Sequence, residues 1–85
     1  MKFSSHVKTK LSFYMIAEDE ITEALKETQL ECNDVVENSK IFIIMLRDRP
    51  FVVVASIDKE TIITAYPTDK QTILNRRRSG RWICK

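Results

Sequence analysis

Glycine is nearly missing from this chain, which has one in 85 residues alongside two prolines, two cysteines and one histidine. A single glycine excludes a glycine-rich phosphate loop, and no Gly-x-Ser-x-Gly nucleophile elbow is present. Cys32 and Cys84 lack Cys-x-x-Cys spacing, and with one histidine the chain cannot supply an ordinary structural zinc site. They read as reduced cysteines that pack. No acidic cluster suited to a metal is visible either, so any chemistry here is expected to run without metal or cofactor. The N-terminus has no apolar stretch of signal-peptide length, and the longest apolar run, residues 41–46, cannot span a bilayer. The expectation is a soluble cytoplasmic protein with no membrane partner. With 44% hydrophobic and 31% charged residues and few breakers, the chain is too apolar for disorder, and residues 1–85 form one domain with one modest core.

What is present is unevenly distributed. The net charge of +2 hides +3 over residues 1–17, −7 over 18–37, +1 over 38–68 and +5 over 69–85. Basic ends flanking an acidic helix suggest an anionic partner for the ends, with the acidic segment restraining nonspecific binding.

Phe3, Val7, Leu11 and Tyr14 recur at helical spacing, with Ser4 or Ser5 available as a cap, and His6 and Lys10 share another face. Ala17, Ile21, Ala24, Leu25 and Thr28 mark a second helix, whose early acids Glu18, Asp19 and Glu20 suit the positive end of its dipole. The pattern then turns β-branched and aromatic. Residues 41–46 and 51–57 read as a hairpin about an Arg-Asp-Arg-Pro turn at 47–50, and 61–66 as a third strand ended by Pro67, with a weaker strand at 30–36. The fold class is α+β: two N-terminal helices packed on a three- to four-stranded antiparallel meander, followed by a short C-terminal helix or strand. Thr68 or Asp69 can cap a short helix over 70–78, with Gly80 just past its end. The first two strands are apolar at nearly every position, so their second face needs a cover, either the C-terminal segment or another chain, which points to a homodimer or a tight protein partner.

The stretch IITAYPTDKQTILNRRRSGRW concentrates polar candidates. Thr64 and Tyr66, two apart on a strand, project from one face with Ile62, while Ile63 and Ala65 face the other. Cations in a last helical turn are favoured by the dipole, by about 0.3–1 kcal/mol each. Four arginines within six residues, Arg76, Arg77, Arg78 and Arg81, exceed that need, and the guanidinium fork suits phosphate oxygens. Trp82 beside them reads as packed, with base stacking the alternative. His6 is the one side chain that titrates near neutrality unaided, and Lys10 one turn later places a cation beside it.

A helix carrying His6, a meander, then Thr-x-Tyr-Pro and an arginine-rich end resembles the barnase, EndoU, colicin and RelE-like superfamily of small metal-independent ribonucleases. It is most similar to short members that open with Ser-x-His-x-x-x-Arg-Met followed by Arg-Gly-Ile. In SSHVKTKLSFYMIAEDEITEAL, His6 follows Ser5, Lys10 replaces the first arginine, Tyr14 stands for the second and Met15 for the glycine. The resemblance implies a toxin- or phage-type ribonuclease that cleaves RNA by attack of the ribose 2′-OH on the adjacent phosphate. His6 would transfer protons, Tyr66 or Lys10 would be the partner acid, Thr64 would assist, and Arg76, Arg77, Arg78 and Arg81 would hold phosphate. An antitoxin or immunity protein is the partner such a toxin implies. The replacement of an arginine by Tyr14 keeps a second class open: a non-catalytic module that binds nucleic acid or a protein on the same fold.

Overall fold

Ser4 separates a two-residue strand from the first helix. A computed structural model describes residues 1–85, in which β1 (Lys2–Phe3) precedes α1 (Ser5–Phe13), α2 (Glu18–Leu25), β2 (Leu30–Asp34), β3 (Ser39–Leu46), β4 (Arg49–Ala55), β5 (Thr61–Pro67), α3 (Lys70–Arg78) and β6 (Trp82–Cys84). Ser4, not Ser5, is the cap of α1: its Oγ accepts from the Val7 N–H at 3.1 Å and donates to the Ile63 carbonyl at 2.7 Å, tying helix to sheet. Phe3, expected to begin the helix, lies in β1 and still packs on the helix-side core.

The strand order is β1-β5-β4-β3-β2-β6. Strands β2 to β5 form the expected antiparallel meander, and two short edge strands extend it, β1 parallel to β5 and β6 antiparallel to β2. β1 escaped the sequence reading because two residues carry no periodicity, and the C-terminal segment forms both the helix and the strand that the reading offered as alternatives. The fold is thus α+β with three helices on a six-stranded mixed sheet.

Alternation along the strands divides the core. Phe42, Ile44 and Leu46 of β3 and Phe51, Val53 and Ala55 of β4 meet Val7 and Leu11 of α1 and Ile21 of α2. From the opposite face, Ile41, Ile43 and Val52 meet Cys32 and Trp82, with Ile73 of α3 packed against them. The doubly apolar strands are therefore covered in part by the chain's own C-terminal segment, one of the two covers the sequence allowed. Asp69 caps α3 by accepting from the Thr72 N–H at 2.7 Å, and Gly80 follows with φ +79°.

Three local features depart from the sequence reading. First, Pro50 is not a turn residue: β4 begins at Arg49, Pro50 pairs with Met45, and Arg47 and Asp48 alone form the turn, both with positive φ as a type I′ turn requires. With so little glycine, Met15, Asn38 and Lys59 also take left-handed backbone. Second, β5 carries a bulge: Val54 pairs with Thr64 but Ala55 with Ile62, leaving Ile63 unpaired. Ile62 therefore joins Ala65 in the helix-side core, whereas strict alternation had placed it with Thr64 and Tyr66. Third, Cys32 and Cys84 are not reduced packing residues but form a disulfide joining β2 to β6, at directly opposed positions. Their 52-residue separation hid this, because the pairing depends on the register of an edge strand that the sequence does not reveal. No helix is long and apolar enough to cross a membrane.

Candidate nucleic-acid interface

The second face of the sheet is only partly covered. Trp82 and Ile73 close it over Ile43 and Val52, while at the end where β3 begins an open cavity of about 280 Å³ remains. Its floor is Ile41 and Val54, and Thr64, Tyr66 and the bulged Ile63 of β5 form one wall. The bulge matters here, because by absorbing one residue it lets Ile63, 40% exposed, stand beside Thr64 and Tyr66 at the groove rather than pack under the helices.

The opposite wall is an ionic cluster. Asp34, 4% exposed at the end of β2, accepts hydrogen bonds from the backbone N–H groups of Val36 and Glu37, each at 3.0 Å. Its Oδ2 also accepts from Trp82 Nε1 at 3.2 Å and from Arg81 Nε at 3.1 Å. Burial pushes the Asp34 carboxyl up, but the bonds from the Glu37 backbone, Trp82, Arg81 and the Val36 backbone together hold it below the usual carboxylate range. Arg81 also faces Glu37 at 3.7 Å. Trp82 is thus packed and bonded rather than free to stack, and the charge of Arg81 is already engaged by two carboxylates.

The remaining arginines are arranged differently. Arg76, Arg77 and Arg78 occupy the last turn of α3 and none makes an ion pair. Arg76 shares one stripe with Thr72, Asn75 and Ser79, spaced three and four apart, and these four line a shallow polar hollow on the helix surface. Asn75 Oδ1 accepts from Gln71 Nε2 at 3.0 Å, and the amide N–H groups of this exposed residue make no bond of their own. The acids of α2 lie on the opposite face of the sheet, where Glu20 is held by Arg47 at 2.8 Å.

Lys10 links α1 to this region around the open edge of β5: its Nζ lies 5.6 Å from the centroid of the Tyr66 ring. Half-burial raises the Tyr66 phenol above its ordinary value, an effect offset in part by the charges of Arg76 and Arg81. The phenol therefore stays protonated at neutral pH. His6 is exposed one turn before Lys10 and makes no hydrogen bond with Thr64, Tyr66 or any arginine. Of the sequence-predicted residues, Thr64, Tyr66 and Arg81 line one groove, Lys10 and Arg76 act on Tyr66 from outside it, Arg77 and Arg78 are exposed on α3, and His6 is exposed on α1 without a hydrogen bond to any of them.

Asp34, Glu37 and Ser39 were not singled out from the sequence. Asp34 carried a readable signal, an acid two and three residues before free N–H groups at a strand end, whereas Ser39 carried none. Ser39 is 3% exposed and its Oγ has no hydrogen-bond partner; nor has Thr64 Oγ1. Compared with protein-family models, curated proteins and solved structures, the chain matches none.

Proposed function

We propose that this chain is an RNA-binding module that takes phosphates on the C-terminal turn of α3. The observation that carries the reading is the set of three consecutive arginines, Arg76 to Arg78, free of any carboxylate partner and set beside a donor-rich polar stripe. Arg81 belongs to the scaffold in this reading, since its pairing with Asp34 fixes the start of β6. Segregation of the α2 acids onto the other side leaves the α3 side attractive to a polyanion. The disulfide favours an oxidising destination over a reducing cytosol. Fluorescence anisotropy with a single-stranded RNA tests binding: log K should fall with log salt at a slope of about −0.7 per phosphate engaged, so roughly −2 for three contacts. Replacing Arg76, Arg77 and Arg78 by Gln should remove most of that slope. An unchanged slope would sink the proposal.

A second reading, RNA cleavage, is favoured by the placement of Lys10 over the Tyr66 ring, which sets a cation beside a phenol that stays protonated at neutral pH. Here Tyr66 supplies the proton to the leaving oxygen, Lys10 offsets the developing charge, and His6 takes the 2′-OH proton from α1. Incubation with total RNA in EDTA is the direct measurement. Cleavage that persists in both Tyr66→Phe and His6→Ala excludes these roles, and intact RNA with wild type excludes the reaction.

A further inference from the structure

The groove on the second sheet face holds features that phosphate binding leaves unused. Two hydroxyls there have no partner. Ser39 Oγ is buried with its residue 3% exposed, and Thr64 Oγ1 is likewise inaccessible and unbonded. A buried hydroxyl without a hydrogen bond destabilises the free protein, so its retention calls for an explanation. Both residues line the same cavity of about 280 Å³.

The chemistry of the walls selects the occupant. Asp34 and Glu37 face a single cation, Arg81, whose charge they already engage, so this wall offers no free cation to a phosphate or carboxylate in the interior. The floor, Ile41 and Val54, is aliphatic, and Tyr66 offers a ring, one side of which Lys10 occupies. An uncharged, flat ligand with hydrogen-bonding edges fits this combination. Ile41, Val54 and Thr64 stand in register across three strands, and Ser39 lies two residues further along β3, so the backbones at Thr64 and Ser39 are about 12 Å apart. A two-ring heterocycle with a hydrogen bond at each end spans that distance better than a one-ring heterocycle.

We infer that this groove binds a nucleobase, with purines preferred, lying on Ile41 and Val54, with the Ser39 and Thr64 hydroxyls turning into the groove by rotation about χ1 to meet its two ends. The inference deepens the RNA reading and rests on it for biological meaning: the base enters the groove while its phosphates stay outside on α3. Ser39 and Thr64 are binding residues in this assignment, and Glu37, at the rim, accepts from an exocyclic amino group.

The test separates the groove from the arginines by using adenosine, which carries no phosphate, with cytidine for comparison. Adenosine titrated into the intact, oxidised protein should shift the backbone amide signals of Ile41, Val54 and Thr64 saturably in NMR spectra, and cytidine should bind more weakly. Ser39→Ala and Thr64→Val should each weaken adenosine binding about five- to tenfold, a lost hydrogen bond's worth. Because the lost hydroxyl is unpartnered, Ser39→Ala should fold with an unchanged or higher Tm, so weakened binding cannot be blamed on unfolding. The Gln variant of Arg76, Arg77 and Arg78 should bind adenosine as wild type does. No saturable shift in the groove, or binding unaffected by both hydroxyl variants, overturns the inference even where RNA still binds through α3. Adenosine binding without RNA binding would overturn the RNA reading and leave the groove assignment standing.

Discussion

The two faces of the sheet are made by the same strands and from the same residue types, yet they end in different states. On the helix face twelve buried residues interlock, and α1 and α2 each press at least one fully buried side chain into them. On the other face five buried residues suffice, and α3, the one helix there, buries none of its own side chains. The second face is held instead by Trp82, by the Asp34 cluster and by the Cys32–Cys84 bridge. One face is closed by area removed from water, the other by a few directional bonds that leave a groove between them. A polar groove with unpaired hydroxyls survives where closure is local, and it would have been filled under helices.

That contrast can be broken experimentally. Opening the bridge with Cys32→Ser plus Cys84→Ser should cost the most, about 4 kcal/mol from chain entropy for a 52-residue separation, read as a lower urea midpoint. The backbone amides of β6 and α3 should lose exchange protection before those of β4. Ile44→Ala, at a position with no exposure on the helix face, should cost about 3 kcal/mol, whereas Ile73→Ala on the second face should cost about 1 kcal/mol or less. Equal losses would mean that the two faces share one closely packed core. Acid should act on the second face more than on the first. The Asp34 carboxyl is held below its unfolded value, so its contribution is fully present above about pH 3.9 and disappears as pH falls through the lower folded value. Asp34→Asn should flatten that part of the stability–pH profile, and an unchanged profile would remove Asp34 from its assigned role. The smallest effect tests a turn. Met15 is 78% exposed with φ +58°, a conformation that glycine adopts without steric cost, so Met15→Gly should raise stability by about 0.5–1 kcal/mol.

The sequence made most of the framework legible, and the gaps share a cause. Val7, Leu11 and Ile21 are buried where helical spacing placed them, and the β2–β5 meander follows the β-branched runs and their turns. These are local patterns repeated over several residues. The bulge at Ile63 breaks a repeat at one position, and β1 and β6 are too short to show one. In the site, Thr64 and Tyr66 do share a face, as adjacent alternate positions on one strand must. Arg81 shows the limit. Among residues near it in sequence it looks like one more unpaired cation, but its partner Asp34 lies 47 positions away and meets it only through the pairing of β2 with β6. The same long-range pairing brings the cysteines together. A local count of charge or spacing sees neither.

The bridge also changes how the molecule would bear a load. Cys32 and Cys84 close residues 32–84 into a covalent ring that contains β3, β4, β5 and α3. Tension applied between the two ends therefore runs through residues 1–32 and crosses the bridge, bypassing the strands inside the ring. Stretched between Met1 and Lys85, the span could lengthen to about 120 Å when oxidised, against about 300 Å when reduced. The force would peel away β1, α1, α2 and the first residues of β2, while β3, β4, β5 and the arginine helix remained in an unloaded loop.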